Sequence, residues 1–463
     1  MVKLFSVYIP ARMLILATSD TLVIATALAA TLAFGFPAGL SSNLAREQAC
    51  LKVAVACLVC MACMYYYDLY ESQVMGNIRE VITRLIQVLG SACLILAFLY
   101  YAYPSVEINK GILFLGFAVI GLFLSAWRKI FQTLNGWAHL TQRTLLLGHG
   151  SLSASLEQEL HRRPEFGMQV VGYLDDPPFS ARRETAVDSQ DELERALEVI
   201  ERERATKVII TLEERRGRLP LDLLLQLKIR GIKVEDGGDV YEQVTGKAPL
   251  NFQRLSGLVF SPGFQISRRM QWSKRLVSIV ISLCGLLFTL PLMGLIALAI
   301  RLDSPGAAIF RQKRIGKGGK PFLLYKFRSM RLDADVDGVP RPAQKNDERL
   351  TRVGGWLRKT RLDEIPQLYN ILRGDMSLVG PRPFVPEQEL PLAEQIPFYR
   401  NRWAVASGAT GWAQVHRGYC STLEDNEEKL AYDLFYIRNM SFGLDLLILF
   451  QTFKILILGR GGR

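Results

Sequence analysis

Four apolar runs open this chain, at about Leu14–Phe36, Ala49–Leu69, Val81–Tyr103 and Gly111–Trp127, and they limit what it can fold into more than any other feature. Each is long enough, or nearly so, to cross ~30 Å of hydrocarbon as a helix rising ~1.5 Å per residue. Tyr65, Tyr66, Tyr67, Tyr100, Tyr101 and Tyr103 cluster at run ends, where aromatic side chains anchor at the water–lipid boundary. Arg128 and Lys129 directly follow the fourth run and favour a cytoplasmic exit; four crossings then return the N-terminus, with Lys3 and Arg12, to the same side. The first run continues too far, and closes without a small-residue cleavage site, for a removable signal peptide.

The chain has 463 residues, enough for two or three domains, and a net charge of +12. Beside membrane segments, that excess points to anionic lipid or phosphate-bearing ligands and not to nucleic acid. Six of the seven cysteines lie in apolar stretches. Cys57, Cys60 and Cys63 have CxxCxxC spacing, but inside an apolar helix with no histidine nearby they read as packing residues.

From Gln142 to about Phe260 the composition turns soluble. Strand-like Thr144–Leu147, Met168–Leu174 (ending in Asp175-Asp176), Lys207–Thr211 and Ile232–Val234 alternate with helical stretches to His161, over Asp191–Arg204 and over Leu219–Arg230. That alternation predicts a parallel, doubly wound sheet. Gly148-His149-Gly150 could cradle a phosphate or serve only as a packing turn, since Ser153 stands at the third glycine position.

Leu276–Ile300 is again long enough to span, yet both its flanks are basic: Arg268, Arg269, Lys274 and Arg275 before, Arg301, Arg311, Lys313 and Arg314 after. Pro291 lies past its middle, where it removes a backbone donor. Together these predict a helix broken at Pro291 that dips into one leaflet and returns. An ordinary fifth span would place everything after Ile300 on the opposite face from the middle domain.

Two clusters follow. Arg311–Met330 holds seven cations and no acid, with Gly316, Gly318 and Gly319 inside it. Glycines let backbone approach a ligand, and Lys and Arg bind phosphate. On this reading Lys313 and Arg314 lie at the membrane, and Lys326 and Arg328 in a site. The second cluster is Arg358-Lys359-Thr360-Arg361-Leu362-Asp363-Glu364-Ile365-Pro366-Gln367. Pro366 marks a first helical turn and Gly374 a stop, so Asp363 and Glu364 fall at or just before a helix N-terminus. There the helix dipole and neighbouring cations favour ionised carboxylates, one able to act as nucleophile and one to hold a divalent metal.

KFRSM at Lys326–Met330, RKTRLDEIPQLYNILRGDMSLVGPRP at Arg358–Pro383, TGWAQV at Thr410–Val415 and EKLAYDLFYIRN at Glu428–Asn439 together closely resemble the bacterial sugar transferase family. The resemblance covers about Arg268–Leu458 and implies a polyprenyl-phosphate sugar-1-phosphate transferase of the large, exopolysaccharide- or O-antigen-initiating kind. It implies a UDP-sugar donor, a polyprenyl (undecaprenyl) phosphate acceptor, released UMP and Mg²⁺. It also implies a place in the bacterial inner membrane with the catalytic domain on the cytoplasmic face, and it leaves a homodimer open. Asp363 would be the nucleophile, passing through a phospho-aspartyl intermediate, and Glu364 the metal-binding partner. Arg382 would contact the nucleotide or its phosphates, with Lys326, Arg328, Arg358 and Arg361 as further phosphate contacts. The expected architecture is a membrane α-helical bundle (1–130), a Rossmann-like α/β domain (131–262) and a mainly α-helical catalytic domain with a re-entrant helix (263–463).

The chain departs from the family pattern at Ser407 (usually proline), Phe384 (usually glutamate), Ser278 (often aspartate) and Leu290 (commonly serine). None of these is a proposed catalytic residue. A dehydratase or epimerase would need Tyr four residues before Lys, a spacing that does not occur here. A processive glycosyltransferase finds only Asp333-Ala-Asp335 and lacks the downstream motif. A non-catalytic nucleotide-sensing scaffold would not need the Asp363-Glu364 pair.

Overall fold

A computed structural model describes residues 2–4, 6–35, 43–75, 77–104, 110–135, 141–174, 188–212, 219–250, 263–265, 267–331, 347–418 and 422–457. Asp175-Asp176 and Asp333-Ala-Asp335 lie outside the described residues. The chain divides into two compact units, the first essentially Tyr8–Val240 and the second Tyr241–Arg463 together with Lys3–Val7.

In the first unit the apolar runs form helices α1 (Ala11–Gly35), α2 (Asn43–Tyr66), α3 (Ile78–Ala102) and α4 (Lys110–Asn135). All four are long and apolar enough to cross a membrane. Their shared core contains Ile24, Leu28, Met64, Leu85, Leu96, Ile120 and Leu124. Cys57, Cys60 and Cys63 point into that core with 8%, 1% and 4% exposure, a packing position. Gly116 lets α4 close on α1, since a Cβ there would sit 3.2 Å from Leu28 and 3.3 Å from Thr31. A charge is expensive among apolar helices, and Asp20 within α1 is neutralised: Arg128 Nη2 lies 2.7 Å from Asp20 Oδ2, both buried.

After the bundle, β1 (Gln142–Leu147), β2 (Met168–Tyr173), β3 (Lys207–Ile210) and β4 (Lys233–Asp236) form one parallel sheet in the order β2-β1-β3-β4. Helices α5 (Ser151–Arg162), α6 (Asp188–Arg202) and α7 (Leu221–Ile229) alternate with the strands, as the sequence pattern predicts. Leu145, Leu147, Val208 and Leu227 form the core beneath them. The expected soluble α/β region is therefore present beside apolar helices.

The second unit is built on α8, Arg268–Asp303, a helix of 36 residues. Its apolar side chains are largely uncovered; Leu276, Leu287, Phe288, Leu290 and Leu295 are 62–86% exposed, a surface suited to lipid. Pro291 stands inside this one continuous helix and does not divide it in two. Proline's missing donor costs one intrahelical bond, and ten or more residues on either side maintain the helix. The break expected at Pro291 is therefore absent as a gap in secondary structure.

Beyond α8 come an antiparallel hairpin of β5 (Ile309–Ile315) and β6 (Pro321–Phe327), then α9 (Arg352–Thr360) and α10 (Gln367–Arg373). Two short parallel strands, β7 (Ser377–Val379) and β8 (Gly408–Thr410), pair just before the Gly380–Pro383 segment, in which Gly380, Pro381 and Pro383 are buried. Helices α11 (Pro386–Gln395) and α12 (Leu423–Arg438) flank it, and Trp412, Phe435 and Tyr436 pack beneath. The segment after Tyr241 belongs to this unit: Trp412 Nε1 donates to Gly246 O at 2.9 Å, and Arg438 pairs with Glu242.

Candidate active site

The local sequence from Thr351 to Gly374 sets where the acidic pair lies. Thr351 caps α9, its hydroxyl accepting from Gly354 N at 3.0 Å. Gly354 is needed for close approach, because a Cβ there would meet Ser329 O at 2.0 Å. The helix ends at Arg361, whose φ of 58° is left-handed and costly for a side-chain-bearing residue. That reversal starts a single 3-10 turn, Leu362–Glu364, directly before Pro366 and α10. Gly374, at φ 101°, ends α10 with its N–H on Asn370 O and Ile371 O. Asp363 and Glu364 thus stand just ahead of a helix N-terminus, where the sequence places them.

Cations converge on Glu364. Lys326 Nζ from β6 donates to Oε1 at 2.7 Å, Arg382 Nη2 reaches the same oxygen at 3.2 Å, and Arg361 Nη1 is 4.0 Å from Oε2. Burial pushes the Glu364 pKa up, but Lys326 and Arg382 override it and hold the carboxylate well below its usual range. Asp363 is 7% exposed, and there burial prevails: its pKa is raised, with Lys326 opposing and Glu364 adding to the rise. The two acids therefore have divergent environments, one salt-bridged and one desolvated, although the dipole argument treats them alike. Arg358 lies behind the pair with Nε on Ser329 Oγ at 2.8 Å; burial lowers its pKa, and Asp363 opposes that.

Two basic residues take other places than the sequence suggests. Arg328 is 5% exposed and donates to Pro305 O and Ser304 O, each at 2.7 Å, tying down the segment that ends α8. Its hydrogen bonds do not reach the acidic pair. Arg314, expected at the membrane, instead lines the cleft with Lys326, Gln367 and Arg382. It donates to Gln312 Oε1 at 2.6 Å and Pro383 O at 3.2 Å, while its buried Nε has no hydrogen-bond partner among the described residues. Burial, with Arg382 adding repulsion, lowers its pKa to about 10. The hairpin explains the placement: Arg314 faces Phe322 and Gln312 faces Leu324 across the ladder, so Arg314 shares the Lys326 face. Strand alternation within the basic cluster was the signal available for it.

The arrangement gathers Arg314, Lys326 and Arg382, cations of the kind that bind phosphate oxygens, beside a buried carboxylate. For a divalent metal, no group of three or more His, Cys, Asp or Glu occurs among the described residues. One or two carboxylates nevertheless suit Mg²⁺ that takes its other ligands from water and substrate phosphate, and Asp363 and Glu364 are adjacent oxygen donors of that kind. In the middle domain, the Gly148–Gly150 turn is engaged internally. Thr211 Oγ1 donates to Gly148 O at 2.8 Å, and Gly150 N donates to Ser153 Oγ at 2.9 Å.

Comparison with known proteins assigns residues 269–459 to the family described as bacterial sugar transferase, and residues 66–235 to a CoA-binding domain family. A UDP-glucose:undecaprenyl-phosphate glucose-1-phosphate transferase of Xanthomonas campestris pv. campestris is 34% identical over 69% of this chain and 67% of its own length. The Escherichia coli (strain K12) protein of the same description is 33% identical over 73% of each chain. A UDP-N-acetylgalactosamine-undecaprenyl-phosphate N-acetylgalactosaminephosphotransferase of Aeromonas hydrophila is 39% identical over 48% of this chain, which spans about half (52%) of that relative.

Proposed function

The chain belongs to the bacterial sugar transferase family, and from that membership and the site geometry we propose that it transfers a sugar-1-phosphate from a UDP-sugar to undecaprenyl phosphate, releasing UMP. The observation that carries the reading is the buried Asp363 beside a salt-bridged Glu364 and three converging cations.

Asp363 is the nucleophile because burial leaves its carboxylate poorly solvated and more basic, whereas Glu364 is committed to Lys326 and Arg382. An Asp363 carboxylate oxygen bonds to the sugar-bearing phosphorus, and the bond to the UMP oxygen breaks, with UMP leaving as its phosphate anion. A phosphate oxygen of undecaprenyl phosphate then attacks the same phosphorus and returns Asp363 as carboxylate. Lys326 and Arg382 pair with Glu364 Oε1, so its Oε2, with Asp363 adjacent, would hold Mg²⁺, which when bound supplies charge neutralisation at the diphosphate. Lys326, Arg314 and Arg382 bind the phosphate oxygens and hold the phosphorus in line with Asp363.

The ends of α8 support a membrane helix that enters and leaves on one side. At its start Arg275 donates to Ile371 O and to Leu372 O, and near its end Ile296 and Ile300 pack with Phe327 and Leu357. Between those grips a Cβ on Gly285 would sit 3.1 Å from Leu368, so α8 runs along the one segment Leu357–Leu372. A straight span would carry that segment, with Arg358, Lys359 and Arg361, into the hydrocarbon, and Pro291 is where α8 can bend. The catalytic residues then lie on the cytoplasmic face of the inner membrane, where UDP-sugars are made.

Membranes containing the protein, given Mg²⁺, undecaprenyl phosphate and a panel of UDP-sugars, should yield a lipid-linked sugar diphosphate and stoichiometric UMP. Release of UDP with a lipid monophosphate product would instead assign a glycosyltransferase.

A further inference from the structure

The catalytic residues above leave unused the most deeply buried charge cluster of the second unit. Arg402 and its acidic partners Glu389 and Asp433 each have a side chain only 2% exposed. Arg402 Nη1 lies 3.0 Å from Glu389 Oε1 and 2.6 Å from Tyr399 OH; Nη2 lies 2.9 Å from Asp433 Oδ2. Burying three charges is costly unless each is paired, and such a cluster is weak evidence for stability by itself. Its contacts with the neighbouring loop indicate another use. Arg402 Nη2 also donates to Arg382 O at 2.9 Å, and Glu389 Oε2 accepts from Phe384 N at 3.1 Å. The backbone on both sides of Pro383 is therefore fastened to the cluster. The Phe384 ring lies between two cations, 5.0 Å from the Arg402 guanidinium and 4.2 Å from Lys429 Nζ.

We propose that Arg402, held by Glu389 and Asp433, is a positioning residue that fixes the Arg382 backbone so that its guanidinium meets the substrate phosphate. The anchoring is geometric. Arg382 has a flexible side chain, and its reach to Glu364 Oε1 at 3.2 Å is set by where the Pro381–Pro383 main chain is held. Arg402 reaches that main chain from the 3-10 turn Tyr399–Ala404 and Glu389 from α11, while Asp433 on α12 holds the Arg402 guanidinium. Two elements thus fix one carbonyl and one N–H, and a third holds the arginine that does so. Lysine at position 402 keeps the charge but cannot serve Glu389, Asp433 and the Arg382 carbonyl from one planar fork.

This inference rests on the proposed use of a UDP-sugar, and wild-type turnover with UDP-sugar tests that use separately. The experiment is a double-mutant cycle on the full-length protein in detergent, reading KM and kcat for UDP-sugar and the unfolding temperature. Arg402→Lys should raise KM about tenfold, and in an Arg382→Ala background it should add less than about twofold. If Arg402→Lys unfolds the protein, Phe384→Leu replaces it in the same cycle, with the same non-additivity expected at smaller size. An equal KM penalty with and without the Arg382 guanidinium would overturn the proposal, as would a fall in kcat with KM unchanged.

Discussion

Replacing Lys326 with methionine separates what this ammonium does for catalysis from what it does for folding. Its Nζ lies 2.7 Å from Glu364 Oε1, for which Coulomb's law at an effective dielectric near 20 gives about 6 kcal/mol of gross attraction. The Lys326 pKa is nonetheless lowered from 10.5, because burial outweighs Glu364 and Arg382 adds repulsion. A lysine whose folded pKa lies below its unfolded value costs stability at every pH below the folded value. That cost vanishes only as pH rises past the unfolded value. Methionine removes it with similar side-chain length, and Glu364 keeps Arg382 at 3.2 Å and Arg361 at 4.0 Å. Against that gain, Lys326 is also the cation that most lowers the Glu364 pKa, so the two effects oppose: stability at pH 7 should fall by no more than about 2 kcal/mol, and Tm by less than ~8 °C. Turnover should fall ~10²–10³-fold, or about 3–4 kcal/mol of transition-state stabilisation. Thermal unfolding in detergent and initial rates on the same preparation check both. A fall in Tm beyond ~8 °C, with lost activity tracking the unfolded fraction, would refute the argument by making Lys326 a structural partner.

Asp363→Asn should keep its Tm and lose at least ~10³-fold in kcat, measured by lipid-product formation. Because burial raises the Asp363 pKa, kcat/KM should fall on acidification at a pH above the ordinary aspartate value of 3.8. In Lys326→Met that limb should move to higher pH, since Lys326 opposes the rise; a pH–rate profile of both proteins decides it. Arg314→Met should raise KM for UDP-sugar about tenfold, read by initial rates, because it removes a cation that lines the cleft. A truncated chain beginning at Tyr241 should unfold at a higher temperature than one beginning at Phe264, which lacks Glu242 and Gly246, the partners of Arg438 and Trp412.

Features read from local chemistry were legible. Pro366 and Gly374 bracket α10 because one residue type suits a helix start and the other a left-handed stop, so the position of Asp363-Glu364 followed from sequence. Apolar length alone gave the first four helices, and strand–helix alternation gave the parallel sheet. What depends on non-local geometry was not legible. Reading Arg311–Met330 from sequence puts Arg314 at the membrane and Arg328 in a site, while the hairpin turns Arg314 into the cleft and the end of α8 takes Arg328. The Arg402 cluster joins residues 13 and 31 positions apart, beyond any helical or strand period. Nor does composition reveal that the residues after Tyr241 pack with the second unit, because those contacts join residues 166 and 196 positions apart. Pro291 was read as a break, yet a helix this long keeps its other hydrogen bonds around one proline.

Isotope exchange without the lipid acceptor tests the central claim most directly. Purified protein with Mg²⁺, UDP-sugar and labelled UMP should return label to UDP-sugar, because Asp363 alone completes the first half-reaction, and Asp363→Asn should show no exchange. An enzyme fully active with undecaprenyl phosphate but silent in this exchange would contradict the account and make Asp363 a general base in a direct transfer.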